Sequence, residues 1–200
     1  MILHKQERCH IFMNLYTIQH IANATVSHKG SHFHGFLCPS THFEATLQKL
    51  HDKHPKAVHF VTSSRISNVH KQIVESFSDD GEPKGSSGMP TLNVLRGANL
   101  VNIGFISVRY FGGTLLGIGG LVRAYTDCAL QTIANAELVP YVIFDSLQIH
   151  VPFGKLQHAQ YLIKKIGIHI TQQVFDSTGA EFALQASGEK LAEFKYLLGI

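Results

Sequence analysis

Two short stretches of the sequence hold residue types whose spacing could serve the chemistry of an anion. Residues 79–90, DDGEPKGSSGMP, place three carboxylates within four residues and follow them with a lysine and two serines. We call them the acidic stretch. Residues 109–125, RYFGGTLLGIGGLVRAY, carry five glycines between Arg109 and Arg123, and we call them the glycine stretch. Glycine-rich turns that open a helix often present free backbone N–H groups to phosphate, so both stretches are candidate anion sites.

The glycine stretch does not match the two common nucleotide-binding loops. No Lys-Ser or Lys-Thr pair follows its glycines, and the spacing G-x-G-x-x-G is absent. An apolar strand pattern precedes it and a helical pattern follows, so N–H groups at the helix start could still bind an anion. Arg123 in the first helical turn opposes the helix dipole unless an anion offsets it. The alternative is close packing of helix on strand. The glycines concerned are Gly112, Gly113, Gly117, Gly119 and Gly120.

The acidic stretch also leaves two interpretations open, a functional loop or a solvated turn. Its spacing does not meet the calcium-loop pattern. Lys84 with the backbone of Gly85, Ser86, Ser87 and Gly88 could instead form a nest for phosphate. The residues that precede Lys84 and complete the stretch's first half are Asp79, Asp80, Gly81, Glu82 and Pro83.

No catalytic residue, cofactor or metal is predicted. The sequence lacks a G-x-S-x-G nucleophile motif. His32 and His34 would share one face of a strand, but no acidic or cysteine ligand lies near them in the sequence. The enzymatic alternative is a hydrolase or metal-assisted enzyme, in which His59 and the acidic stretch act on a small anionic substrate held at the glycine stretch.

Charge and cysteine content restrict the class of protein. The chain has 200 residues and a formal charge of +3. The positive excess lies in residues 1–137, because residues 138–200 hold equal numbers of basic and acidic residues. Three isolated cysteines, Cys9, Cys38 and Cys128, indicate neither a disulfide scaffold nor a thiolate zinc site. With no apolar run of membrane-spanning length, we expect a cytoplasmic protein.

Hydrophobic periodicity predicts an α+β protein with two domains. Residues 101–110 form a nearly continuous apolar strand, and residues 120–136 a helix whose apolar face includes Cys128. Thr41 and Glu44 predict a capping box, and residues 65–91 read as a long loop. Residues 146–198 follow the order strand, helix, strand, strand, helix. The predicted organisation is an extension with the start of the first strand at 1–20, one domain at 21–138 and a second at 139–200.

The acidic and glycine stretches together strongly resemble the signature of the IMPACT/YigZ family. The resemblance is carried by FSDDGEPKGSSGMPTLNVL and VRYFGGTLLGIGGLVRAY, with weaker matches at SHFHGF and HPKAVHFVTSSR. It implies a first domain like domain 2 of ribosomal protein S5. It also implies a ferredoxin-like second domain similar to a C-terminal domain of elongation factor G, which here reaches Ile200 without its fourth strand. An open strand edge there could pair with a second chain to give a dimer.

The resemblance also implies a function. The family is associated with regulation of translation, and binding of nucleic acid or ribosome is the usual proposal for bacterial members. We therefore expect a non-enzymatic regulator that binds RNA, the ribosome or a translation factor, with a protein partner in translation control as an alternative. The expected contacts are the glycine N–H groups with Arg65, Lys84, Arg109 and Arg123. The two stretches should then meet in space on the first domain.

Overall fold

The strand β6, Ile103–Tyr110, organises the first part of the chain because it is buried from Ile103 to Arg109. It lies in the middle of an antiparallel sheet, as its nearly continuous apolar sequence predicts. The computed structural model describes residues 15–200. The other strands of this sheet are β2 Ala22–His28, β3 Ser31–Pro39, β4 His59–Ser67 and β5 Ile73–Ser78. Their order in the sheet is β2-β3-β6-β4-β5.

Helices cover both faces of this sheet. On one face, α1 (Phe43–Lys53) places Leu50 against Ile106 and Val108. On the other face, α2 (Gly88–Gly97) and α3 (Gly117–Ala134) enclose the main core around Phe105 and Tyr125. The short strands β1 (Leu15–Thr17) and β7 (Val139–Tyr141) pair with each other, and this compact unit ends at Tyr141. Residues 139–141, assigned from the sequence to the second domain, therefore pair within the first unit.

The second unit, Val142–Ile200, has the predicted order of elements. The strand β8 (Asp145–Pro152) is followed by α4 (Phe153–Ile166), β9 (His169–Phe175), β10 (Gly179–Ala186) and α5 (Gly188–Leu198). Its antiparallel sheet has the order β8-β10-β9, and apolar side chains of β8, β10 and both helices form its core. The structure therefore confirms the α+β class and the strand–helix–strand–strand–helix order.

Two predicted local features are wrong. No capping box forms at Thr41, because residues Ser40–His42 make a 3-10 turn and α1 begins after His42 without a side-chain cap. Residues 65–91 are not one long loop, since they contain the end of β4, all of β5 and the start of α2. The polar residues of β5 face partners instead of solvent alone, as in the hydrogen bond between the hydroxyls of Ser64 and Ser76 (2.8 Å).

The remaining predictions concern the apolar face of α3, the N-terminal residues and membrane-spanning segments. The helix α3 buries the predicted apolar face, including Cys128. Of the predicted extension at 1–20, residues 1–14, which include Cys9, lie outside the described residues. Within residues 15–200, no helix is long and apolar enough to cross a bilayer.

Gly104 is the point at which α1 approaches the central strand. A Cβ built there would lie 2.1 Å from a ring carbon of Phe43. We expect Gly104→Ala to lower the free energy of unfolding by about 1–3 kcal/mol, because the aromatic ring must shift out of a packed site. Urea denaturation followed by circular dichroism measures the change. Gly97→Ala in α2, where the added Cβ meets nothing within 4 Å, is the control and should not destabilise; equal losses would refute the packing argument.

Candidate functional site

The carboxylate of Glu82 joins the acidic stretch to the glycine stretch. Its Oε1 atom accepts hydrogen bonds from Nη1 of Arg109 at 2.5 Å and from the hydroxyl of Tyr125 at 2.7 Å. All three side chains are buried. The prediction that the two stretches meet on the first domain is therefore confirmed.

Burial of this contact changes the ionisation of Tyr125. Loss of hydration raises the pKa of Tyr125 far above its usual range, and the neighbouring Glu82 carboxylate raises it further, so the phenol remains a hydrogen-bond donor. The Arg109 guanidinium also lies 5.5 Å from the ring centroid of Phe33 and 5.8 Å from that of Phe111. Arg109 is thus held inside the domain between a carboxylate and aromatic rings.

The predicted phosphate nest already holds an anion, the carboxylate of Asp79. Its Oδ2 atom accepts the N–H of Gly85 at 2.8 Å, and Oδ1 accepts the N–H of Gly88 at 2.8 Å and the hydroxyl of Ser87 at 2.7 Å. Burial raises the pKa of Asp79, but these hydrogen bonds outweigh it and leave the pKa below its usual value. Ser86 is also engaged, since its buried hydroxyl donates to the carbonyl of Pro83 at 2.6 Å. The nest therefore has no free N–H set for an external phosphate in this conformation.

Arg65 likewise has partners inside the first unit. Its Nε donates to Glu75 at 2.9 Å and its Nη1 to the carbonyl of Leu100 at 2.7 Å. Glu75 is shared with Arg96, whose Nη2 lies 2.5 Å from it. Arg65 and Arg109, both expected at an RNA surface, are thus buried in ion pairs with carboxylates.

His59 lies beside the acidic stretch, as the enzymatic alternative requires. Its Nδ1 is 2.6 Å from the carbonyl oxygen of Asp80, and its Nε2 is 3.9 Å from Oε2 of Glu82. The Asp80 carboxylate, however, accepts the N–H of Phe60 at 2.5 Å. Each carboxylate of the stretch thus fixes part of the fold. Among residues 15–200, no group of three or more histidine, cysteine, aspartate or glutamate side chains is arranged to hold a metal ion.

The glycines of the glycine stretch have two different roles. Gly112 serves close packing: its N–H donates to the Ser31 hydroxyl at 3.1 Å, and an added Cβ would lie 1.9 Å from the carbonyl carbon of Gly30. By contrast, Gly113 and Gly117 have positive φ angles of 83° and 69°, and an added Cβ would meet nothing within 4 Å. Gly119 is similarly open, and at Gly120 only the Leu116 side chain lies near. Most of this turn therefore faces solvent.

Large apolar side chains on this turn are also exposed. We call residues 111–120, which end with the first turn of α3, the glycine loop. In it, Phe111 is 47% exposed, Ile118 65% and Leu115 85%. Lys84 and Arg123 are exposed as well. Sequence reasoning missed the three apolar residues because it considered the backbone N–H groups of the loop. The sequence did contain a signal for them: apolar residues that stand between glycines do not repeat at helical spacing, so they are not expected to pack as a buried helix face.

Comparison with known proteins places this site in a family. The family model of the Impact N-terminal domain matches residues 29–133, more than half of the chain. The chain belongs to the IMPACT family. The match includes both stretches that carried the resemblance.

Relatives and a solved structure agree with this assignment. An IMPACT family member from Haemophilus influenzae is 36% identical over 64% of this chain and 63% of its own length. The family member YvyE from Bacillus subtilis is 30% identical over 79% and 77%, and YigZ from Escherichia coli is 40% identical over 48% and 49%. A crystal structure described as that of a hypothetical protein matches 94% of this chain and 92% of its own, with 25% identity and a TM-score of 0.63.

The Asp79 contact predicts a pH dependence of stability. Because its folded pKa lies below the unfolded value, the stabilisation is fully present above the unfolded pKa of about 4. It is lost as the pH falls through the folded pKa. Asp79→Asn should lower the free energy of unfolding by about 1–2 kcal/mol at neutral pH, and the gap to wild type should shrink as the solution is acidified. Denaturation curves across pH measure this gap, and Asp52→Asn on α1 controls for the lost charge. A gap that is constant with pH would contradict the role of the carboxylate.

Substitution of Glu82 should lower stability by a large amount, and its effect should not add to that of substituting Arg109. Glu82→Gln should lower the free energy of unfolding by about 3–5 kcal/mol, because it leaves the Arg109 charge buried without a counter-ion. The double variant Glu82→Gln with Arg109→Met should lose less than the sum of the two single changes, because no buried charge then remains. Chemical denaturation of the four proteins gives the coupling energy. Additive losses would show that the two groups do not stabilise each other.

Proposed function

We propose that this IMPACT family protein is a non-enzymatic regulator of translation that binds a protein of the translation machinery through the glycine loop. One observation carries the proposal: Phe111, Leu115 and Ile118 are exposed on a loop whose base is fixed by buried contacts. Gly112 anchors one end of the loop on Ser31, and Tyr125 anchors α3, whose first turn forms the other end of the loop, on Glu82. Exposed apolar groups on a fixed support are typical of protein-binding sites.

The charges favour a protein over RNA as the partner. Nucleic-acid contacts require cationic groups that can reach phosphates, or aromatic rings that can stack with bases. Arg65 and Arg109 are buried in ion pairs, and the nest at residues 85–88 holds Asp79. Of the four basic residues expected to contact RNA, only Lys84 and Arg123 are exposed, which is a sparse set for a polyanion. They suit the polar rim that surrounds the apolar centre of a protein interface.

Membership of the IMPACT family indicates the cellular process in which the protein acts. The resemblance to the IMPACT/YigZ signature implies regulation of translation, and the family model covers the whole region that builds the glycine loop. A ribosomal protein or a translation factor would meet the requirement for an apolar contact. The enzymatic alternative has less support, because the carboxylates of Asp79, Asp80 and Glu82 accept hydrogen bonds that hold the fold together.

The glycine loop can be tested without disturbing the core. Leu115→Ser with Ile118→Ser changes two exposed side chains and should leave the thermal unfolding temperature unchanged. We expect wild-type protein to alter the rate of reporter synthesis in a cell-free translation extract of the source organism, and the double variant to lose most of that effect. Leu130→Ser is the matched control, because Leu130 is 52% exposed and lies further along α3.

Binding of RNA instead of a protein would give a different pattern of results in these assays. If RNA is bound, Lys84→Ala with Arg123→Ala would abolish the effect, nuclease-treated ribosomal fractions would not bind, and binding would fall steeply with salt. The proposal requires that the apolar variant loses binding to purified translation factors or ribosomal proteins. Equal activity of wild type and the Leu115, Ile118 variant would refute it.

A further inference from the structure

We propose that the stacked side chains of His34 and His54 form a pH-sensitive contact, which holds the end of α1 on the sheet at neutral pH and releases it in mildly acidic solution. The ring centroids are 5.8 Å apart, at an interplanar angle of 27°. Tyr110 at the end of β6 completes the cluster: its hydroxyl lies 2.9 Å from Nδ1 of His54, and its ring meets the His34 ring edge-on at 5.6 Å. The inference rests on these three side chains and is independent of the proposed function.

The side chain of His54 connects the end of α1 to the sheet. His54 is the first residue after α1, and its N–H donates to the carbonyl of Leu50 at 2.9 Å. Its ring contacts β6 through Tyr110, and it contacts β3 through His34 and through Phe36, whose ring centroid is 6.4 Å away. Because three elements meet at this ring, a change in its charge affects the attachment of α1 to both strands.

The surroundings of His54 suit the neutral imidazole. Its Nε2 atom is buried and has no hydrogen-bond partner among residues 15–200. An imidazolium carries a proton on both ring nitrogens, so a charged Nε2–H group would be buried without an acceptor. Leaving a buried donor unsatisfied costs more when the donor is charged. Protonation of His54 therefore favours a conformation in which Nε2 reaches water.

The groups that surround the two rings also oppose protonation. Loss of hydration lowers the pKa of His34, and the neighbouring His54 and His32 lower it further. Burial lowers the pKa of His54 as well, with a further contribution from the charge of Lys53. On the β2 side, the hydroxyl of Thr25 lies 2.9 Å from Nδ1 of His34 and brings no charge.

No carboxylate among residues 15–200 compensates for a charge on either ring. The histidines that form ion pairs with carboxylates in this part of the chain are His28, His59 and His150. The carbonyl end of α1 attracts positive charge, but the last turn of the helix already holds His51 and Lys53. Two imidazolium rings at the stacking distance would also repel each other. The contact is therefore favourable only while at most one ring is charged.

The direction of the pH effect follows from these lowered pKa values. A histidine whose pKa is lowered in the folded protein binds its proton first in the open or unfolded form. The closed contact is therefore fully stable above the ordinary histidine pKa of about 6.5, and it weakens as the pH falls from there towards the folded pKa values. Because the cluster lies at one end of α1, opening of that end alone hydrates both rings and requires less free energy than global unfolding.

Amide hydrogen exchange of the full chain tests the release directly. After correction for intrinsic exchange rates, the protection of residues 50–58 should be lower by about threefold or more at a pH of about 5.5 than at about 7.5. The amides of α2 and α3 should change much less, because the release is local. His34→Gln and His54→Gln, which cannot be protonated, should each reduce the pH dependence. The matched control is His70→Gln, an exposed residue of the β4–β5 turn, which should retain it.

A histidine titration by NMR decides the question even if a variant fails to fold. In wild type, the ring resonances of His34 and His54 should titrate below the ordinary value of about 6.5. In His54→Gln, His34 should titrate at higher pH than in wild type, because a neighbouring positive charge is removed. The proposal is overturned if both wild-type rings titrate at or above the ordinary value, or if residues 50–58 keep the same protection at both pH values. Equal effects of His70→Gln and His54→Gln would also overturn it.

Discussion

The first unit depends on one buried carboxylate, that of Glu82. Taking a carboxylate and a guanidinium out of water costs several kcal/mol for each ion, so the pair is stable only if further hydrogen bonds complete it. Tyr125 provides one of them, at 2.7 Å. The turn after β5, the end of β6 and the first half of α3 must therefore come together for the domain to close. The glycine loop lies between the end of β6 and the first half of α3, and because both are held by Glu82, the ends of the loop have little freedom to move.

The three carboxylates of the acidic stretch all bind groups of the first unit itself. Asp79 binds the start of α2, Asp80 binds the start of β4 through the N–H of Phe60, and Glu82 binds β6 and α3. Three carboxylates in four residues therefore connect four elements. The large side chains that face solvent in the glycine loop, Phe111, Leu115 and Ile118, are apolar. The carboxylates of the motif thus hold the domain together, and apolar side chains of the glycine loop remain exposed.

The parts of this structure that follow from local periodicity could be predicted. The strand β6, the apolar face of α3 and the order of elements in the second unit depend on apolar spacing within ten or twenty residues. The orientation of Arg109 could not, because its partner Glu82 lies 27 residues away in the chain. Arg65 is similar, with Glu75 reached across the β4–β5 pair. The strand β5 could not be predicted for the same reason. Its polar residues contact residues that become neighbours only when the sheet forms.

The apolar side chains of the glycine loop gain from contact with a shaped apolar surface, because such contact removes them from water. A loop that is held in place before contact loses little conformational freedom on binding, so less of that gain is offset. Under the proposed function, the buried contacts of Glu82 and Ser31 would therefore contribute to affinity without touching the partner.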